Sequence, residues 1–278
     1  MAFISCMDSE NGLVDPAAAK EIGLDLTERY AQGDPYPHIM IDDFLPESIA
    51  RMFLAEFDRL PRDNEDSSVL FDRPTERLKQ QFNPDHMGPA ARYAFYSFNS
   101  LPFIRILENI TGIEGLIPDP YFRGGGFHEI STGGHLSIHA DFNRHYYLPL
   151  ERRINLLIYL NDDWQPEFGG QLELWANDMS RCVQAITPVF NRAVIFNTTS
   201  HSNHGNPQPV AHPEGRSRKS IALYYYTATW DETKRKHTTQ FRARPNTEDR
   251  VDWSVKAKEL LADLTPPLLR RSLSRSKT

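Results

Sequence analysis

Residues 153–175 read RINLLIYLNDDWQPEFGGQLELW. An apolar run rich in β-branched residues gives way to a turn of Asp, Pro and Gly, and a second apolar run, QLELW, follows. That is the pattern of a β-hairpin with a longer loop. Side chains alternate along a strand, so Asn155, Leu157 and Tyr159 are expected on one face and their neighbours on the other.

Outward from this hairpin the same texture extends over residues 121–230. The runs FRGGGFHEI, HLSIHADF, VQAITP, RAVIFNT and KSIALYYYTAT are short, β-rich and punctuated by Gly, Pro, Asn and Asp. Their spacing suits a sandwich, jelly roll or barrel. Before them, residues 15–30 predict a leading helix, with Pro16 at its first position. Residues 36–60 predict a strand, a turn at Asp42 to Pro46 and an amphipathic helix. Residues 61–89 read as polar and irregular. A further helical pattern fills residues 89–112, interrupted at Pro102 and closed by Gly112. After the β-rich region HTTQFRARPNTEDR is too polar for core, DWSVKAKELLADL predicts a helix, and the basic end reads as a solvated terminus. The expected organisation is a support at 1–120, a β core at 121–230 and a partly helical extension at 231–278.

The chain has 278 residues, 40 % of them hydrophobic and 11 % aromatic, enough to bury a substantial core. Its net charge of -6 is spread over mixed acids and bases, which leaves no electrostatic footprint for nucleic acid. Cys6 and Cys182 cannot form a disulfide framework, and no Cys-x-x-Cys occurs. The opening MAFISCMDSENG lacks the basic and apolar parts of a signal peptide, and no run approaches a membrane span. A cytoplasmic protein with no membrane partner is expected; oligomeric state leaves no trace in the sequence.

Chemistry concentrates in the β-rich region. In His139-Ala140-Asp141 the imidazole and the carboxylate, two residues apart on a strand, point to one side and can reach one ion. Alone this is weak, since the chain holds a second such pair, His212-Pro213-Glu214. Two more histidines, His201 and His204, follow the AVIFN strand, and either could complete a metal site. On the strand from Arg218, Ser220, Ala222, Tyr224 and Tyr226 alternate with Ile221, Leu223 and Tyr225. An arginine facing the inside of a barrel requires an anionic partner, which a bound carboxylate would supply.

The ordered set of His139-x-Asp141, YLN ending at Asn161, Gly169-Gly170, PVFNRAVIF, His204-Gly205 and Arg218-x-Ser220 resembles the prolyl 4-hydroxylase-like branch of the Fe(II)/2-oxoglutarate-dependent oxygenases. The resemblance covers residues 127–227. It implies a mainly β core with flanking helices (α+β), wound as a double-stranded β-helix, the jelly roll of cupin-like proteins. It implies His139, Asp141 and His204 as ligands of Fe(II), in the two-histidine, one-carboxylate pattern that leaves positions for 2-oxoglutarate and O2. Gly205 after His204 is expected to let the backbone turn close to the metal.

By the same resemblance Arg218 would pair with the distal carboxylate of 2-oxoglutarate, a guanidinium fork suiting a carboxylate. Ser220 and Tyr159 match positions that hydrogen-bond it, and Asn155 faces the same way, toward cosubstrate or substrate. In one departure Ile130 precedes Gly133 where many prolyl hydroxylases have tyrosine. Asp141 fills the acid position, which favours hydroxylation over halogenation. The implied activity is hydroxylation of an unactivated C–H bond in a peptide, amino acid or small natural product. Arg144, His145 and Trp175 are candidate substrate contacts. A zinc-dependent hydrolase on the same ligands would need a nearby base and would not explain Arg218 with Ser220; a non-catalytic jelly-roll binding module would leave the ordered set a coincidence.

Overall fold

The structure is a computed structural model that describes residues 1–62, 68–231, 233–234, 236–247 and 249. Its strands are β1 (His38–Ile41), β2 (Ser68–Arg73), β3 (Glu76–Phe82), β4 (Ile117–Pro118), β5 (Gly126–Ala140), β6 (Glu151–Tyr159), β7 (Leu172–Trp175), β8 (Cys182–Ile186), β9 (Ala193–Asn197), β10 (His204–Asn206), β11 (Arg218–Thr227) and β12 (Gln240–Phe241). The α-helices are α1 (Thr27–Ala31), α2 (Glu47–Glu56), α3 (Pro89–Tyr96) and α4 (Leu101–Thr111). The strands pair antiparallel in the order β1-β9-β6-β11-β5-β10-β7-β8, with β3 and β12 also on β5 and β4 on β11. This is the jelly-roll double-stranded β-helix that the family resemblance implied.

β5 makes the curl. Its first half, Gly126 to Ile130, pairs with β11, and its second half pairs with β10 through His139 and Leu136. Between the halves the backbone passes through Gly133 at φ +82°, a conformation that glycine adopts without cost. One strand thus joins the two sides of the roll and carries the first metal-type ligand at its far end.

Alternation then separates a greasy outside from a polar inside. From β11, Ile221, Leu223 and Tyr225 enter the main core, and from β6 so do Ile154, Leu156 and Ile158. The helices cover this face: α2 contributes Ile49, Ala50 and Phe53, and α4 contributes Phe103, Ile106, Leu107 and Ile110. Phe53 sits at the centre of an aromatic cluster, with ring centroids 6.0 Å from Phe95, 5.8 Å from Phe98 and 6.1 Å from Phe127 on β5.

Several elements differ from the expectation. The leading helix is broken into two 3-10 turns and the short α1, because Gly23 takes φ +87° against Ile110, where a Cβ would lie 2.5 Å from a side-chain carbon. Within the segment 61–89, expected to be irregular, β2 and β3 form a hairpin laid on β5. Its residues are mostly exposed or half-buried, so no apolar alternation marks it. Part of the polar tail forms β12 along His139 and Ala140. The predicted helix at 252–264 and the basic end lie outside the described residues.

If the aromatic cluster clamps helices to sheet, Phe53→Ala should cost about 3–5 kcal/mol. The check is the midpoint of urea unfolding at unchanged slope; a loss below about 1 kcal/mol would place the clamp elsewhere.

Candidate active site

The strand order sets the site. β10 pairs with β5 so that His204 stands directly opposite His139, and Asp141 follows two residues beyond His139. The potential ligand atoms of His139, Asp141 and His204 all lie within 4.8 Å of one another. The Nε2 of His139 is 3.6 Å from one carboxylate oxygen, Oδ1, and the Nε2 of His204 is 3.4 Å from the other, Oδ2. Each Nδ1 lies 2.9 Å from the carbonyl two residues earlier, of Ser137 and Ser202, so an Nδ1–H donated there leaves Nε2 as a free lone pair facing the acid. Burial of His204, reinforced by the His139 ring, lowers its pKa and favours that neutral form.

Asp141 has elaborate support. Burial alone would raise its pKa; the Arg152 guanidinium outweighs it and holds the carboxyl well below its usual range. Arg152 places Nη2 3.0 Å from Oδ2 of Asp141 and donates from Nη2 and Nε to Oδ1 of Asn155, at 2.6 and 3.1 Å. Asn155 in turn donates its amide to Oδ2 of Asp141 at 2.7 Å. Strict alternation would put Arg153, not Arg152, beside Asn155. The β6–β11 register instead slips by one at this point: Ile154 faces Tyr225 but Arg152 faces Tyr226. This bulge turns Arg152 inward, a usual way of re-aiming a side chain near a site.

Gly205 serves a different purpose from the expected turn. Its φ lies outside the left-handed region, but a Cβ there would stand 2.8 Å from the carbonyl oxygens of both Leu136 and Ser137. Only glycine lets β10 press this closely on β5, which sets the spacing of the two histidines.

On β11, Arg218 is 4 % exposed and donates from Nε to the Gly170 carbonyl at 2.7 Å. Its guanidinium lies over the Tyr159 ring, 4.9 Å from the centroid. Among the described residues no carboxylate stands within 4.0 Å of it, and burial lowers its pKa. The Tyr159 hydroxyl is buried without a hydrogen-bond partner. Gly170, at φ +68°, makes room: a Cβ there would meet the Arg218 Cδ at 2.9 Å. A cavity of about 220 Å³ connects Arg218 and Ser220 with Asn155, Leu157 and the His139, Asp141, His204 group. That is space for a ligand rather than a single water.

A buried cation and an orphaned hydroxyl at one end, with two imidazoles and a carboxylate at the other, fit a dicarboxylate bound next to a first-row metal such as iron. Of the metal-type and cofactor-type residues expected from the sequence, His139, Asp141, His204, Asn155, Arg218 and Ser220 line one cavity, and Tyr159 lies against the Arg218 guanidinium. His201 does not line the cavity and is exposed. His212 packs against the Trp164 and Phe168 rings. Of the proposed substrate contacts, His145 is 1 % exposed with Nε2 3.2 Å from Asp119, so it is structural. Trp175 is turned to Glu173, to which its indole N–H donates at 2.7 Å. Arg144 lies over the Trp230 ring. No sequence signal marks Arg152, nor the cavity-wall residues Phe71, Arg73, Glu76 and Lys79 from the hairpin and Phe241 from β12.

Residues 125–226 match the family model of the 2OG-Fe(II) oxygenase superfamily. The chain is 25 % identical over 241 residues to the prolyl 3,4-dihydroxylase OGFOD1 of Ostreococcus tauri, a match that takes in 81 % of this chain and 43 % of the relative. The chain thus spans less than half the length of that curated relative. Among solved structures, a Pseudomonas putida prolyl-4-hydroxylase superposes with a TM-score of 0.51 at 23 % identity, covering 73 % of this chain and 98 % of that one. A Trichoplax adhaerens prolyl hydroxylase, solved with a peptide fragment of the hypoxia inducible factor oxygen degradation domain, superposes with a TM-score of 0.55 at 18 % identity, covering 76 % and 91 %. These two share the fold.

Burial lowers the pKa of both His204 and His128, the latter aided by Lys79. Unfolded, both titrate near 6.5. Below that pH the unfolded chain binds more protons than the folded one, so stability is complete above 6.5 and is lost on acidification. The thermal midpoint of the metal-free protein is expected to fall below pH 6.5, and less steeply in His128→Gln; a midpoint that rises on acidification would contradict the buried, neutral imidazoles.

Proposed function

We propose that this chain, whose residues 125–226 match the family model of the 2OG-Fe(II) oxygenase superfamily, is an Fe(II)- and 2-oxoglutarate-dependent hydroxylase of a prolyl or similar amino-acid centre in a peptide. The observation that carries the reading is the pairing, across one cavity, of three clustered donor side chains with a buried arginine that has no carboxylate partner among the described residues.

In this reading His139, Asp141 and His204 hold the iron. Arg218 takes the distal carboxylate of 2-oxoglutarate, the Tyr159 hydroxyl and Ser220 donate to it, and Leu157 with Ile130 keeps water from its chain. Bound together, iron and cosubstrate supply the chemistry: O2 is consumed, 2-oxoglutarate loses carbon dioxide to become succinate, and one oxygen atom enters a C–H bond. The protein needs no acid or base of its own for that step. Its side chains orient the cosubstrate from one end, hold the donors at the other and exclude water between. Asn155 borders the cosubstrate space while its amide steadies Asp141.

Phe71, Phe142, Tyr224 and Phe241 line the cavity and suit a compact apolar ring such as proline's. The names of the relatives favour the same substrate: one is a prolyl dihydroxylase, and another was solved with a peptide. A free amino acid or small natural product is the alternative substrate class. A zinc hydrolase is disfavoured by the only other carboxylate on the cavity wall among the described residues, Glu76. It is paired with Lys79 and Arg73, which overcome its burial and lower its pKa, making it a poor base. Two free cysteines and the absence of a long apolar helix among the described residues accord with the cytoplasm as its compartment.

Anaerobic titration of the metal-free protein with Fe(II) and 2-oxoglutarate tests the reading. A visible charge-transfer band is expected in wild type and His201→Ala and not in His204→Ala. Arg218→Leu is expected to weaken 2-oxoglutarate by about 30-fold or more, the ~2 kcal/mol lost when a buried charge pair is cut. No band in wild type would overturn the assignment.

A further inference from the structure

Among the described residues Arg152 is the one arginine sealed behind the site rather than within it. Its side chain is fully buried and does not line the cavity. Its guanidinium lies between two rings that do, 4.3 Å from the Phe142 centroid and 3.6 Å from that of Tyr224. Tyr224 is itself fixed, donating its hydroxyl to the Gly124 carbonyl at 2.7 Å. No substrate group can reach the fork without displacing an aromatic wall. What the fork does reach is Asp141, directly at Oδ2 and again through Asn155.

We infer that Arg152 is a positioning residue that, with Asn155, commits one oxygen of Asp141 to the protein and reserves the other for the metal, and that its charge weakens the electron donation of that carboxylate. The inference rests on the reading of Asp141 as an iron ligand. Two donors converge on Oδ2, at 2.7 and 3.0 Å, with the His204 Nε2 3.4 Å away, while among the described residues Oδ1 accepts no comparable hydrogen bond and has the His139 Nε2 at 3.6 Å. A carboxylate held this way cannot rotate to offer both oxygens, and a cation fixed 3.0 Å away draws its electron density toward the protein side. The bulge in β6 gives the arrangement its cause, because without the slipped register Arg152 would point to the outer face. The cation–π contacts hold the guanidinium in a site from which water is excluded, where its field is weakly screened.

The consequence is spectroscopic. Charge transfer from Fe(II) to bound 2-oxoglutarate takes less energy when the ligands donate more strongly. Neutralising Arg152 should therefore move the band to longer wavelength, whereas a residue that merely fills space would leave it in place. The experiment is the anaerobic Fe(II) and 2-oxoglutarate titration of the full chain in wild type, Arg152→Gln, Arg152→Lys and Asn155→Ala, with thermal midpoints as the folding control. The expected result is a shift to longer wavelength in Arg152→Gln, a band restored close to wild type in Arg152→Lys, and a smaller shift in the same direction in Asn155→Ala. A folded Arg152→Gln with the wild-type band, or equal shifts in Gln and Lys variants, overturns the inference and leaves the iron site standing. Should Arg152→Gln fail to fold, Asn155→Ala decides, and a wild-type band there overturns it. No band in the wild-type protein removes the iron reading and this inference with it.

Discussion

Burying a carboxylate is the constraint on which the site is built. An ionised acid taken from water without partners is too costly to keep, and it would neutralise by taking up a proton. Asp141 is kept ionised by a guanidinium and an amide from β6, and it faces two imidazoles brought from β5 and β10. Each of those groups carries a demand of its own. Arg152 requires an aromatic cage and a bulge, His204 requires a strand pressed so close to β5 that only glycine can follow it, and His139 requires β5 to reach across the roll. Much of the curvature of the core can be traced to these demands.

The outer face of the same strands answers a different problem. With their inner face committed to polar groups, β6 and β11 must gain their stability from the residues between, and Ile154, Leu156, Ile158, Ile221 and Leu223 are all buried under the helices. Hydrophobic burial there, about 1.5–3 kcal/mol for each large side chain, offsets the desolvation of the charges on the other side. A helical support is therefore a physical requirement of a polar cavity inside a small roll.

The alternation of β6 and β11 was plain in the sequence, as were the two histidines and the acid, because a two-residue period survives without any tertiary information. The choice of His204 over His201 came from the resemblance, and the structure places His204 in the cluster and His201 at the surface. The hairpin of β2 and β3 was hidden because half-exposed strands carry no apolar pattern. Arg152 was hidden for a sharper reason: a register slip reverses the face of one residue, and no period in the sequence records where a strand slips. Gly205 looked like a turn glycine because close approach of two backbones leaves the same residue type as a turn.

Two buried arginines now stand in contrast. Arg152 finds its anion inside the protein, and cutting such a pair on one side costs about 3–5 kcal/mol because the partner is left charged and dry. Arg218 finds only a carbonyl and a ring face among the described residues, so its desolvation is left for a ligand to offset. A dianion that relieves this debt binds the folded chain and not the unfolded one, and so stabilises the fold by mass action. The division is chemically sensible. A charge that fixes a side chain within the fold is best matched permanently, whereas a charge reserved for an exchangeable ligand, as proposed for Arg218, is best left with a partner that can leave.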